Sequence, residues 1–310
     1  MYYPYLRGKQ FELLALREFV DLYSNNCNIF PVIEPVKTSF NSMKIALNKF
    51  IKENIFFAVV LNPQIGDLVR RTNLILEELQ NELSDRDRWM PTFIVNNKPT
   101  FIQRLITNGD FQRVMLICSE SVNIDDPEFI DLIKLPSVSK VLISGDNRSL
   151  KRKLDSLGKE IIRFDDQFKA QKKNADYIDV LEERFTEEHC YYLKDGFQGF
   201  SDYTVLSSDY SDGGRLPYAV AIHLTYQKNA DEIWVRHFVS DTNDDNTNIQ
   251  KKFGEAAKKA VEFFGEIGYS NEAINELAKY FEHAQYPGLG VLKKISIKSH
   301  IELINGILQH

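Results

Sequence analysis

The chain has 310 residues, of which 43% are hydrophobic, 26% charged and 12% aromatic. That balance belongs to a folded globular protein and excludes a wholly disordered or fibrous one. Lys and Arg number 38 against 44 Asp and Glu, a net charge of −6, so only a local patch, not the whole surface, has an electrostatic case for nucleic acid.

At about 150 residues per domain the length fits two domains or one α/β barrel. The opening residues, Met1-Tyr2-Tyr3-Pro4-Tyr5-Leu6-Arg7, lack the charged start and apolar run of a secretory signal. No run reaches the ~18 apolar residues of a membrane span. Cys27, Cys118 and Cys190 are sparse and odd in number, which does not read as a disulfide framework. The expectation is a cytoplasmic, reduced protein without a membrane segment.

Strand-like and amphipathic runs alternate from the first residue. Tyr2–Leu6 is a short extended run, and Gln10–Tyr23 has Phe11, Leu14, Ala15, Phe19 and Leu22 at helical spacing. Ile29–Ile33 is the second strand and Phe40–Lys52 the second helix. Ile55–Leu61 is a continuous apolar strand, as expected where both faces are covered. Asp67–Leu83 reads as a long helix, Met90–Val95 as the fourth strand and Thr100–Ile106 as its short helix. Arg113–Ile117 and Pro127–Ile133 form the fifth pair, with Asp125 or Asp126 as N-cap. Val138–Ile143 precedes a helix that Ser149 would cap and Gly158 would close. Glu160–Phe164 is the seventh strand and Phe168–Phe185 the seventh helix.

The eighth strand is assigned to Phe200–Leu206, after the turn Asp195–Gly199. Tyr218–Tyr226 and Glu232–Val239 then alternate as a β-hairpin, with Gln227–Asp231 as a five-residue loop. Asn248–Phe264 supplies a long amphipathic helix, followed by helical segments near Glu272–Phe281 and Ser299–Leu308. Eight strand–helix pairs predict a (β/α)8 TIM-barrel-like fold, with a β-hairpin insertion after strand 8 and a C-terminal helical extension. The first turn, Arg7-Gly8-Lys9, has no GxGxxG, which counts against a doubly wound dinucleotide fold. The expected organisation is a barrel over 1–265, including a hairpin insertion 207–240, with a helical extension 266–310 packed on it.

In such barrels the chemistry lies at the C-terminal ends of the strands. Here those ends read Arg7-Gly8-Lys9, Glu34-Pro35, Asn62-Pro63, Asn96-Asn97, Ser119-Glu120, Ser144-Gly145-Asp146, Asp165-Asp166 and Ser201-Asp202. These types are also ordinary turn chemistry. Lys9, Glu34, Asp146, Asp165 and Asp202 are the catalytic candidates. Arg7, Lys9, Glu34, Asn62, Asn96, Asp202 and His223 are the ligand-binding ones. Lys9 and Glu34 on neighbouring strand ends are placed to pair, either to shift each other's pKa or as a structural ion pair. The carboxylates and amides would suit Mg²⁺, but no His falls at a strand end, so no metal or other cofactor is assigned. There is no GxSxG elbow and no P-loop. His223 and His237 sit on the two hairpin strands and read as packing or hydrogen-bonding residues. Ser207–Gly214 is a polar loop, read as a linker with a lid as the alternative.

Between Arg148 and Lys173, nine basic residues (Arg148, Lys151, Arg152, Lys153, Lys159, Arg163, Lys169, Lys172, Lys173) face four acidic ones (Asp155, Glu160, Asp165, Asp166). A solvated helix face accounts for most of this; nucleic-acid binding through 148–173 is the sharper reading.

The run Tyr3-Pro4-Tyr5-Leu6-Arg7-Gly8-Lys9-Gln10-Phe11-Glu12-Leu13-Leu14-Ala15-Leu16-Arg17-Glu18, followed by Pro31-Val32-Ile33-Glu34-Pro35, resembles the bacterial and phage beta-protein family. So do Gly199–Thr204 and Leu216–Leu224. The similarity runs over most of the chain. It implies a barrel-like fold and a setting among mobile or phage-defence genes, commonly beside a small nuclease-like protein partner. The matched positions are Arg7, Lys9, Glu12, Glu34, Asp202 and His223, and the resemblance carries no reaction over to them. Two functions are therefore expected: an accessory or binding barrel acting with a protein partner, or a barrel enzyme acting on a phosphorylated or nucleotide-type substrate at the strand ends.

Overall fold

A computed structural model describes residues 1–96, 98–210 and 218–309. Asn97, the 211–214 part of the polar loop, Leu216, Pro217 and His310 lie outside the described residues. Contacts divide the chain into two compact units. The first comprises Met1–Leu13, Val20–Asp165 and Cys190–Asp202; the second comprises Leu14–Phe19, Asp166–His189 and Tyr203–His310.

The first unit holds a closed barrel of eight parallel strands: β1 (Tyr2–Leu6), β2 (Val32–Ile33), β3 (Phe57–Val60), β4 (Trp89–Val95), β5 (Val114–Cys118), β6 (Val138–Ile143), β7 (Glu160–Asp165) and, closing on β1, β9 (Gly199–Asp202). The predicted eighth strand is thus real, but it starts at Gly199 and stops at Asp202. Parallel partners in register point to the same side of a sheet. Phe57 meets Phe50 of α2 (Asn41–Lys52), so it faces the helices. Ala58 and Val60, with Val32 and Tyr5 level with them, therefore face the barrel interior. Phe164 joins Tyr5 there, its ring 5.2 Å away. Closure leaves these strands no open edge, and covering both faces explains their near-continuous apolar runs.

The outer helices are α1 (Gln10–Leu22), α2, α3 (Thr72–Glu78), α4 (Pro99–Asn108), α5 (Pro127–Lys134) and α6 (Arg148–Ser156). The long helix expected over 67–83 shrinks to α3. Gly66 (φ +78°) and Arg70 (φ +63°) are both left-handed and cannot continue a right-handed helix. Gly66 is required where it stands, because a Cβ would come 2.3 Å from the Val36 carbonyl oxygen. Asp126 caps α5 as expected, accepting from the Glu128 amide. The cap of α6 is Asn147, which accepts from the Leu150 amide, and Ser149 lies inside the helix.

In the second unit, β8 (Glu182–Thr186), β10 (Ala221–Asn229) and β11 (Glu232–Val239) form an antiparallel sheet in the order β10-β11-β8. The predicted seventh helix, Phe168–Phe185, is overturned: the segment holds a 3₁₀ turn (Asn174–Ile178) and the start of β8. Tyr177, Leu181 and Phe185 recur every four residues and mimic a helix face. However, Leu181 is 56% exposed, and Glu182 instead pairs across the sheet with Arg236. Strand pairing overrides local propensity here. The hairpin is tighter than predicted. Strand β10 runs on to Asn229 through a bulge, leaving Ala230 and Asp231 as the turn.

Helix α7 (Glu188–Tyr191) is a single turn, and α8 (Ile249–Ile267), α9 (Glu272–Glu282) and α10 (Leu289–Leu308) complete the chain. Ala256, Ala257 and Ala260 give α8 a flat buried face among Ile222, Leu224, Leu277 and Ile295. Helix α10 starts ten residues before the predicted Ser299 and is buried around most of its circumference, Lys294, Lys298 and Glu302 included. Among the described residues, no helix is long and apolar enough to cross a membrane.

Candidate functional site

Strand ends in the barrel gather the predicted residues into distinct groups. The Glu34 amide donates to the Leu6 carbonyl (2.8 Å), so the parallel ladder continues one residue past β2. Glu34 is thereby aligned with Arg7 on the face of Tyr5, inside the barrel. It is buried and well partnered: the Tyr5 hydroxyl donates to one carboxylate oxygen (2.7 Å), the Gln64 amide to the other (2.9 Å), and Arg7 Nε lies 3.8 Å away. The cation beside Glu34 is therefore Arg7. Glu12, also buried, accepts the Arg7 amide at 2.6 Å and so fixes the turn between β1 and α1.

Asp165 and Asp202 are level with each other on β7 and β9. Their neighbours Phe164 and Ser201 face inward, so both aspartates lie on the opposite side of the sheet from Glu34. Asp202 accepts the buried Tyr2 hydroxyl at 2.6 Å. Burial, followed by the Asp202 charge and hydrogen bond, pushes the Tyr2 pKa well up, so this hydroxyl stays a donor. Asp165 holds Arg163 (2.6 Å) and accepts from the Gly145 amide (3.3 Å), tying down the loop after β6. Asp146 is exposed on that loop, and the Lys9 carbonyl accepts the Leu13 amide at the start of α1.

Asn62 and Asn96 do meet. Asn62 reaches across to β4, giving its amide N–H to the Ile94 carbonyl and accepting the Ile94 N–H (2.9 and 2.8 Å). It thus continues the β3–β4 ladder with a side chain. Gln64 bridges the pair: its amide donates to the Asn62 carbonyl (2.5 Å), and its oxygen accepts from Asn96 (2.7 Å). These amides form one wall of a cleft of about 560 Å³ at the C-terminal ends of β3 and β4, which Arg70, Lys98, Val69 and Phe101 also line.

Several features of this cleft favour an anion with a flat apolar part. Neither Arg70 nor Lys98 has an ion-pair partner among the described residues. Lys98 immediately precedes α4, whose first residue is Pro99. Unpaired amides and the helix dipole make such an end favourable to negative charge. Phe101 is 51% exposed, a large apolar surface beside the cations. Arg70 holds its left-handed conformation without being glycine, a strain of the kind that persists at binding sites. The sequence reading found Asn62 and Asn96 but missed Gln64, Arg70, Lys98 and Phe101. Lys98-Pro99, a cation just ahead of a helix-starting proline, was the available signal.

The remaining candidates are dispersed. Of the nine cations between 148 and 173, five are engaged locally. Lys151 pairs with Asp155, Lys153 with Asp125, Arg163 with Asp165 and Lys169 with Glu183, while Lys159 donates to the Leu135 and Val138 carbonyls. His223 belongs to the second unit, where it faces His237 across the hairpin. Among the described residues no cluster of three or more His, Cys, Asp or Glu is placed to hold a metal ion. In comparisons with known proteins, no family model and no curated sequence matches this chain.

Proposed function

We propose that the barrel binds a phosphorylated, nucleotide-type ligand in the β3–β4 cleft, its phosphate between Arg70, Lys98 and the start of α4 and its ring against Phe101. The observation that carries this is a pair of cations without ion-pair partners among the described residues, lining a concave site at the end of the barrel where such folds bind ligands. Asn62, Gln64 and Asn96 supply the donors and acceptors that orient the ring. Binding is favoured over catalysis because the buried carboxylates Glu34 and Asp202 each already accept a tyrosine hydroxyl. Calorimetric titration with adenosine monophosphate at low salt is the test. Saturable binding is expected, weakened about tenfold by Arg70→Ala or Lys98→Ala, the loss of one charge-assisted contact. Phe101→Ala should weaken the nucleotide but leave inorganic phosphate unaffected. No binding at millimolar nucleotide would overturn the proposal.

The beta-protein resemblance supports a second reading, an accessory role beside a protein partner in a phage-defence or mobile-element module. Ile178 and Leu181, both exposed next to β8 at the edge of its sheet, are the observation in its favour. Co-purification with the product of an adjacent gene would support it, provided Leu181→Lys abolishes the association. Retention of the partner by that variant would count against it.

A further inference from the structure

Cross-strand register sets His223 of β10 directly opposite His237 of β11. Their Nδ1 atoms are 2.8 Å apart. A hydrogen bond between two imidazole nitrogens needs one N–H and one lone pair, so the two rings must adopt opposite tautomers. Which ring donates is decided by the other edge of His237. Its Nε2 lies 3.6 Å from Oε1 of Glu183 on β8, and neither atom has a hydrogen-bond partner among the described residues. A lone pair aimed at a carboxylate oxygen would be repelled, whereas an N–H there is attracted. His237 therefore carries its proton on Nε2 and accepts at Nδ1. His223 must donate from Nδ1, which leaves its Nε2 as a bare lone pair.

The surroundings hold this arrangement. His237 is buried and His223 half-buried. The Tyr177 ring stands 4.5 Å from both imidazoles, and Phe168 stands 5.1 Å from His223. Lys169 pairs with the other Glu183 oxygen at 2.9 Å and so orients that carboxylate. The Tyr177 hydroxyl is occupied in accepting the Gln171 amide. Burial, and then the His237 charge, pushes the His223 pKa down to about 3, and burial lowers that of His237 as well. Both rings are neutral at pH 7, as the shared hydrogen bond requires. His223 is half-buried, and its Nε2, unlike Nε2 of His237, is not one of the fully buried side-chain atoms, so that edge keeps contact with solvent.

We propose that Glu183, His237 and His223 form a proton relay that presents an acceptor nitrogen at the surface of the second unit, for a ligand that donates a hydroxyl proton. The step balances without a co-reactant. Nε2 of His223 takes the hydroxyl proton, and its Nδ1 proton moves to Nδ1 of His237. His237 keeps its Nε2 proton and becomes an imidazolium against the Glu183 carboxylate. His223 ends neutral with its tautomer inverted, and the ligand oxygen carries the negative charge. A carboxylate that orients one imidazole is the common way to make an imidazole a proton acceptor; here a second imidazole is interposed. This proposal is independent of the nucleotide cleft, which belongs to the other unit.

Long-range ¹⁵N–¹H spectra of the whole chain, with histidine labelled, test it directly. At pH 7.5, His223 should bear its proton on Nδ1 and His237 on Nε2. On acidification both rings should change in one step with a common midpoint. Glu183→Ala, which removes what orients His237, should return both rings to a mixture of tautomers and slow carbethoxylation of His223 at Nε2 several-fold. A wild-type His223 carrying its proton on Nε2 would overturn the proposal, whatever the stability of the variant. So would a His223 that titrates while His237 stays unchanged.

Discussion

The candidate groups of the two units differ in how far their hydrogen bonding is met, although the barrel unit also buries an unmet oxygen, Oε2 of Glu82, among the described residues. In the barrel, the strand-end groups that looked most like catalytic machinery are closed pairs. Tyr5 holds Glu34, Tyr2 holds Asp202, and Asn62 exchanges two hydrogen bonds with Ile94. In the second unit, His237 Nε2, Glu183 Oε1 and Glu302 Oε1 are buried without a hydrogen-bond partner among the described residues. A satisfied pair stabilises one geometry and resists change; an unmet buried donor or acceptor costs about 1–3 kcal/mol and keeps its capacity to react or titrate. Polarity at a strand end is therefore a weaker guide to function than unmet hydrogen-bonding capacity.

The sharpest test of this contrast is a group in the second unit that is buried and fully paired. Lys294 is 3% exposed in α10, and its ammonium lies 2.6–2.9 Å from the carboxylate oxygens of Glu18 and Glu276. Burial lowers its pKa, but the hydrogen bonds and charges of the two glutamates outweigh that and raise it. Lys294→Ala would leave the two carboxylates to the second cation, Lys298, which lies 3.0 Å from Glu18 and 3.6 Å from Glu276. Removing one partner of a buried pair costs about 3–5 kcal/mol, and the remaining cation puts this loss at the lower end of that range. Urea denaturation at pH 7 should show that loss, and adding Glu276→Gln, which removes one of the facing charges, should recover part of it. A loss that Glu276→Gln leaves unchanged would mean that Lys294 acts through packing alone.

The sequence displayed the barrel because closed parallel sheets leave an unmistakable pattern: short apolar runs such as Val138–Ile143, covered on both faces and spaced by helices. It displayed the second unit less well. There β8 is a charged strand, Glu182-Glu183-Arg184-Phe185-Thr186, whose apolar spacing with Tyr177 and Leu181 copies a helix. Its identity rests on pairing with β11, which lies some fifty residues later. The His223–His237 pair was hidden for the same reason: with a five-residue turn the register shifts, and the two imidazoles no longer sit opposite each other. The cleft was half legible. Asn62 and Asn96 followed from strand ends, but Arg70 entered it only because the helix predicted across 67–83 is broken at that residue.

Glu302 tests the unmet side of the comparison. One of its oxygens accepts the Ala273 amide at 3.1 Å and the other has no partner. Burial raises its pKa to about 7, against an ordinary 4.5. Because the folded value is the higher one, the folded state binds the proton more tightly. This group's contribution is full below pH 4.5 and is lost as pH rises through about 7. Glu302→Gln keeps an acceptor for Ala273 and abolishes the ionisation. It should gain about 1–3 kcal/mol at pH 8 and little at pH 4. Equal effects at both pH values would show that the carboxyl ionises as freely folded as unfolded.

The smallest expected effect lies in the barrel, at the cleft beyond β3 and β4. Arg70 is held left-handed at φ +63° while lining the cleft. A non-glycine residue is disfavoured there because its Cβ crowds the backbone. If the side chain were only structural, the position would gain nothing from that strain. Arg70→Gly removes the strain and the cation together. Relief of the left-handed conformer favours the fold, while the added freedom of glycine in the unfolded chain opposes it, for a net gain of about 0.5 kcal/mol. Thermal unfolding should therefore shift up slightly while nucleotide affinity falls about tenfold. Stability and binding moving in opposite directions would mark Arg70 as a residue kept for its ligand at the expense of the fold. If both fell, Arg70 would belong with Glu34 and Asp202 among the groups that hold the barrel together.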